Sequence, residues 1–144
     1  MKEQVEFEVL DGLSKDFMPS CKTKLSAGLD VKTTQGFTLE KFEHIIVGLG
    51  VKIKHMPSFL YPDLEIRSGK RFKNLCCTLG TGIIDGDFFN EMEILIFNFG
   101  EKVTFKKGDG VGQLILRRNY TQEYASKYCL ENIRKDGFGS TDKK

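Results

Sequence analysis

Histidine is scarce in this chain of 144 residues: only His44 and His55 occur, and no HExxH frames either, so little material exists for an imidazole-based metal site. The four cysteines, Cys21, Cys76, Cys77 and Cys129, lack CxxC spacing, which argues against a zinc knuckle. Cys76 and Cys77 are adjacent, and in a strand they would point to opposite faces; structural cysteine is the favoured reading. Nothing positions a Cys–His catalytic pair, and no G-x-S-x-G provides an exposed serine nucleophile. An enzyme made from this chain must do its proton work with carboxylates.

Long apolar runs are also missing. The longest, Ile45–Val51 and Ile94–Phe97, fall far short of the ~20 residues a bilayer span needs. With 40% hydrophobic and 29% charged residues, the chain is neither disordered nor membrane-embedded. A net charge of +2 exerts no global pull on nucleic acid. The opening Met1-Lys2-Glu3-Gln4 does not read as a secretion signal. Reduced thiols and a cytoplasmic location are therefore expected, or a host-cell interior if the source is viral. At this length one domain is expected, burying roughly 68–70% of the unfolded chain's surface.

Glycine, by contrast, is abundant: 15 residues, against a norm of ~7% of a chain. Between the glycines the pattern has period two. Val5, Phe7 and Val9 alternate with Glu6, Glu8 and Leu10. Further runs are Leu29–Thr33, His44–Lys54, Leu64–Arg67, Leu75–Leu79, Met92–Phe99, Val103–Phe105 and Gln113–Arg118. Many short strands at this spacing predict an all-β sandwich or barrel. Helical pattern is confined to one short turn after Arg67-Ser68-Gly69, and strands end around Leu116 to Tyr120. The stretch from Arg117 onward holds seven Lys/Arg against four Asp/Glu. Composition alone favours a frayed tail for its Gly-rich end, with an anion-binding flap as the alternative.

Five segments set Gly beside acid, hydroxyl or amide groups. Ala27-Gly28-Leu29-Asp30-Val31 places an acid just after a Gly that opens a strand. Arg67-Ser68-Gly69 offers a fixed cation, a hydroxyl and close backbone approach, a combination suited to phosphate. Gly82-Ile83-Ile84-Asp85-Gly86-Asp87-Phe88 reads as a hairpin whose tip carries two carboxylates and an aromatic. Lys107-Gly108-Asp109-Gly110-Val111-Gly112-Gln113 is a turn leading into a strand. Gly137-Phe138-Gly139-Ser140-Thr141 closes the series. Any one alone is more often an ordinary turn, because Gly-Asp pairs favour turns on steric grounds.

In this order the five segments resemble the five motifs of the trimeric deoxyuridine triphosphatase (dUTPase) family, from Ala27 to Thr141. Gly-Ile-Ile-Asp-x-Asp-Phe and Gly-Phe-Gly-Ser-Thr are the specific elements. The resemblance implies a distorted jelly-roll-type β-barrel over residues 1–120, with a C-terminal arm and flexible glycine-rich lid over 121–144. It also implies a homotrimer with active sites between subunits, which needs neither nucleic acid nor membrane. The implied reaction cleaves dUTP to dUMP and pyrophosphate with Mg²⁺ on the triphosphate. It would limit uracil in DNA and supply dUMP for thymidylate synthesis.

By the same resemblance, Asp85 would be the general base that takes a proton from the attacking water. Phe88 would lie under the deoxyribose, leaving no room for a 2′-hydroxyl. Backbone groups around Gly82 and Ile84 would pair with uracil and reject cytosine. Asp30 would act through water on Mg²⁺. Arg67, Ser68, Gly69 and Gln113 would contact phosphates. Phe138 would cover the base, with Arg134, Gly139, Ser140 and Thr141 closing over the phosphate end as a lid.

The chain departs from the family pattern in places. Leu79 replaces an Asn that assists uracil recognition, and Ile66 replaces the Pro before Arg-Ser-Gly. Asn90 stands for a Gly, a swap αL backbone tolerates; Gly110 stands for an Arg. Arg134 precedes Phe138 by four residues where five is usual, so Lys135 could share its role, and Asp142 replaces the final Gly. Two rival readings compete with this one. A dCTP deaminase, which shares the fold, would need a catalytic Glu where Leu95 stands. A dUTPase-like regulator without turnover would have no use for the intact Asp85 and Gly-Phe-Gly-Ser-Thr.

Overall fold

Residues 3–77 and 82–131 are described by a computed structural model. The period-two segments form antiparallel strands: β1 (Glu6–Val9), β2 (Leu29–Lys32), β3 (Phe37–Leu39), β4 (His44–Gly48), β5 (Val51–His55), β6 (Leu60–Glu65), β7 (Cys76–Cys77), β8 (Gly82–Ile83), β9 (Glu93–Asn98), β10 (Val103–Phe105) and β11 (Gly110–Arg118). They pair as β2-β11-β6-β8, β4-β9-β7, β1-β5 and β3-β10. Most partners are distant in sequence, as the return connections of a jelly-roll-type β fold require. The helices are short: α1 (Ser68–Asn74) and α2 (Tyr120–Ala125). Among the described residues no helix is long and apolar enough to cross a membrane.

The core is built from the inward half of each alternation. Val31, Val47, Leu49, Val51, Ile53, Ile94, Ile96, Val111 and Leu114 are all essentially sealed. Asn98, also buried, ties the end of β9 to two loops. Its Nδ2 donates to the carbonyls of Leu39 (3.1 Å), Glu40 (3.3 Å) and Glu101 (2.9 Å), while its Oδ1 accepts from the Gly100 amide (2.9 Å). A buried amide with this many partners fixes loop positions that apolar packing would leave loose.

Several boundaries differ from the sequence expectation. The single run His44–Lys54 is two strands, because Gly50 adopts φ +70°, a conformation that costs glycine nothing. There the chain leaves β9, the partner of β4, and joins β1, the partner of β5. Strand β6 starts at Leu60, before the expected Leu64, and runs through Pro62. Strand β3 was not foreseen at all, being only three residues long. The helical turn after Arg67 is α1. Helix α2, capped by the Asn119 side chain accepting from the Gln122 amide at 3.1 Å, falls in the expected arm. The segment 82–88 is not a simple hairpin: β8 pairs with β6, whereas Met92 on the return arm bonds to Val51 and Leu49. The turn at Asp85 therefore bridges two sheets.

Candidate active site

Directly opposed residues of an antiparallel pair share a face of the sheet. In β2-β11-β6-β8, Leu114 opposes both Leu29 and Leu64 on the core side. On the outer side, Gln113 opposes Asp30 in β2 and Glu65 in β6. One step along, Ile115 opposes Asp63, which in turn opposes Ile83 of β8; at the far end, Arg117 opposes Tyr61. Four of the five segments thus converge on this sheet, their polar side chains on its outer side.

At one end stand Asp30, Arg67, Ser68 and Gln113. The Arg67 Nε lies 3.2 Å from Asp30 Oδ1, and both side chains are partly buried. Two glycines shape the surroundings. A Cβ on Gly28 would come 2.7 Å from Gln113 Oε1, and one on Gly110 would come 2.7 Å from an Arg67 guanidinium nitrogen. The space a side chain would occupy at position 110 is therefore taken by the end of the Arg67 side chain. Ser68 and Gly69 are exposed at the start of α1, whose first turn holds no acid. Among the described residues nothing comes within 4 Å of a Cβ placed on Gly69. The preceding turn is fixed by the Lys106 amide donating to Asp109 Oδ2 at 2.8 Å.

At the other end stands Asp85. Its segment is pinned on both sides: the Ile84 amide donates to the Pro62 carbonyl, and the Phe88 amide to the Asp85 carbonyl, each at 3.0 Å. The Asp85 side chain is exposed and lines a groove of about 1190 Å³ with Met56, Tyr61, Ile83, Asp87, Asn119 and Gln122 among its walls. Phe88 lies beneath the turn and is only 5% exposed, a member of the core cluster. Expected as the floor of a sugar site, it leaves little surface open in the single chain. Ile84, expected to meet the base, uses its own N–H inside the sheet. Ladder geometry alternates, so the N–H and C=O of Ile83 point away from β6.

The two ends are far apart. Continuing the ladder past Ile84 and Pro62 brings Asp85 opposite Tyr61. Six residues, the first four steps of them within β6, separate Tyr61 from Arg67, roughly 20 Å if all are extended at ~3.3 Å each. Neither Asp30, Arg67, Ser68 nor Gln113 lines the groove at Asp85. Arg134, Phe138, Gly139, Ser140, Thr141 and the departure at Leu79 lie outside the described residues.

Between the ends sits a pair that sequence reasoning missed. Arg117 Nε donates to Asp63 Oδ2 at 2.7 Å; Asp63 is 1% exposed, while the Arg117 side chain is about half exposed. The hydrogen bond to Asp63, with its charge, raises the guanidinium pKa above its ordinary value. Asp63 and Arg117 are far apart in the chain, and only the β6–β11 register brings them together.

The donor set bears on metals. Among the described residues no three His, Cys, Asp or Glu side chains gather to hold an ion. One partly buried carboxylate, Asp30, already paired to Arg67, suits a hydrated cation carried by phosphate oxygens, not a protein cage.

A model of the dUTPase family matches residues 15–142. The mitochondrial deoxyuridine 5′-triphosphate nucleotidohydrolase of Homo sapiens is 33% identical over 128 residues, 87% of this chain; the match spans 50% of the human protein's length. The Mus musculus protein of the same name is also 33% identical, with 78% of its length covered. Among solved structures, a mutant dUTPase of Staphylococcus bacteriophage 80alpha with dUpNHpp has a TM-score of 0.74 at 22% identity, over 97% of this chain and 99% of that one.

Proposed function

The chain belongs to the dUTPase family, and from that premise we propose that it hydrolyses dUTP to dUMP and pyrophosphate. The observation that carries the reading is the outer face of one sheet, with an exposed carboxylate on a doubly pinned turn at one end and a cation–hydroxyl–amide cluster at the other. Asp85 accepts a proton from a water that attacks the α-phosphorus. The Pα–O bond to the β-phosphate breaks, and pyrophosphate leaves. Proton transfer of this kind is worth typically ~10²–10⁴-fold in rate.

Arg67, Ser68, Gly69 and Gln113 hold the phosphates, and the open surface at Gly69 lets backbone approach them. Asp30 would hold the hydrated Mg²⁺ carried by the triphosphate, where the ion would supply charge neutralisation. Uracil pairs with backbone between Gly82 and Asp85, chiefly with the Ile83 groups that face away from β6. Phe88 lies under the sugar, and Arg134, Phe138, Gly139, Ser140 and Thr141 close over the complex. Leu95, where a deaminase of this fold would carry its acid, opposes Ile46 within an apolar strand, which supports hydrolysis over deamination.

One chain does not complete this site. A base must stand within hydrogen-bond reach of the water it activates, and the phosphate cluster lies roughly 20 Å from Asp85 along a chain that rises ~3.3 Å per extended residue. Asp85 of one copy therefore acts on a triphosphate held by Asp30, Arg67 and Gln113 of another, in a closed ring of three. The test is pyrophosphate release from dUTP, dCTP, dTTP and UTP with Mg²⁺, by the wild type and by Asp85→Asn. Turnover of dUTP alone, lowered at least ~10²-fold by the substitution, is expected. Equal rates for both proteins would remove Asp85 from its role.

A further inference from the structure

We propose that Glu91 is a positioning residue for the reaction: its carboxylate, seated against Gly48 and Gly50, sets the far end of the turn that carries Asp85. The inference rests on the reading of Asp85 as the base, and it names what holds that base from the side away from β8. Residues 84–92 belong to no strand, because here the chain crosses from β8 in one sheet to β9 in another. On the β8 side the crossing is tied by the bond from the Ile84 amide to Pro62. On the β9 side it is tied where β4 gives way to β5. There the Leu49 amide donates to the Met92 carbonyl and the Met92 amide to the Val51 carbonyl, each at 2.9 Å.

Between those two bonds lies Gly50, which is buried. Its carbonyl accepts from the Leu10 amide at 2.9 Å, and its own amide donates to Glu91 Oε2 at 2.8 Å. A buried amide needs an acceptor, and an ionised carboxylate is a stronger one than a neutral oxygen. The seat leaves no spare room. A Cβ on Gly48 would overlap Glu91 Oε2 and lie 2.9 Å from Cδ. Gly48 itself is fixed, because it opposes Glu93 of β9 and its carbonyl accepts from the Thr34 amide at 3.1 Å and the Thr34 hydroxyl at 3.0 Å. Any side chain at position 48 therefore displaces the carboxylate and not the strand. Glu91 does not line the groove at Asp85, so it acts through the turn between them.

The test is steady-state pyrophosphate release from dUTP with Mg²⁺, below the melting temperature, by wild type, Glu91→Ala, Glu91→Gln, Gly48→Ala, the double variant Gly48→Ala/Glu91→Ala, and Asp85→Asn. Far-UV circular dichroism checks that each has folded. Glu91→Ala and Gly48→Ala should each lower kcat about tenfold, a part of the ~10²-fold that a 1 Å misplacement can cost. KM for dUTP should stay within about twofold, as expected when substrate binding is untouched. Glu91→Gln keeps an acceptor for Gly50 and should hold kcat within about threefold of wild type. In the double variant the added methyl group meets no carboxylate, so kcat should match Glu91→Ala, since changes at one contact do not add. If Glu91→Ala does not fold, Gly48→Ala, which retains the carboxylate, carries the same expectation. Variants that melt earlier yet turn over at the wild-type rate would overturn the inference and leave Glu91 with stability alone. A double variant down about a hundredfold, the product of two independent effects, would overturn it too. Asp85→Asn separates the readings. Its inactivity beside a fully active Glu91→Ala removes only Glu91, whereas wild-type turnover by Asp85→Asn removes the base on which the inference rests.

Discussion

Gly82→Ala adds a single methyl group where β8 crosses β6. Its Cβ would overlap the Leu64 carbonyl oxygen and lie 2.7 Å from Leu64 Cβ and 3.1 Å from Leu64 C. Carbon contacts relax at ~3.5–4.0 Å, so one strand must retreat by about 1 Å. Leu64 cannot be the one, because it is sealed in the core and held by β11 on its other side. Strand β8, two residues long and paired through Gly82 and Ile83, gives way. Its retreat stretches the 3.0 Å bond from the Ile84 amide to Pro62 past useful length, a loss of ~1 kcal/mol. Residual overpacking adds ~1–3 kcal/mol, so stability falls by about 2–4 kcal/mol. For a chain of this size that lowers Tm by roughly 6–15 °C. Asp85, three residues along, moves with the strand, and a 1 Å misplacement can cost ~10²-fold in rate. Steady-state pyrophosphate release below Tm should give kcat down by about that factor, with KM for dUTP less affected. The control is Gly69→Ala, whose Cβ meets nothing within 4 Å among the described residues and whose Tm should hold. A Gly82→Ala enzyme with kcat within about twofold of wild type would refute the claim that backbone contact at β8 sets the position of the base.

Two further outcomes follow from the same geometry. Asn98→Leu strands three carbonyls and one amide inside the protein, at ~1–3 kcal/mol each if unrelieved; urea titration should show at least about 4 kcal/mol lost, and a loss under 1 kcal/mol would contradict the accounting. Arg118 grips Glu123 through two 2.9 Å bonds, and this hydrogen bonding, together with the Arg118 charge, lowers the carboxyl pKa below its ordinary value. The lowered value means that the contact supports the arm at neutral pH and is lost as pH falls through that value. An NMR titration should place the Glu123 midpoint lower in wild type than in Arg118→Gln, and coincident midpoints would count against the pairing.

Most of the strands were legible because alternation survives wherever one face is buried and the other wet. Val103–Phe105 matches β10 without adjustment, and Met92–Phe99 brackets β9. The failures have causes. Pro62 hides the first half of β6, since proline is rare in strands that are paired on both sides, and β3 is too short for a period to register. Of the five candidate segments, three meet at Asp30, Arg67 and Gln113, and the last lies outside the described residues. What could not be read was the separation. Arg67 follows β6 at one end and Asp85 flanks it at the other, a fact of register that local sequence does not encode. Likewise Asp63 is an unremarkable acid until β11 sets Arg117 beside it.

The central claim is that each active site takes its base from one copy and its phosphate cluster from another. Asp85→Asn and Arg67→Ala should each be nearly inactive alone. Mixed in equal amounts, unfolded and refolded together, they form trimers in which a site can draw Asp85 and Arg67 from different, intact copies. Random assembly makes about one quarter of the sites complete in a ring with one contact between each pair of neighbours. The account predicts recovery of about one quarter of wild-type dUTP turnover on mixing. No recovery, from mixtures shown by mass to contain both variants in one trimer, would contradict it.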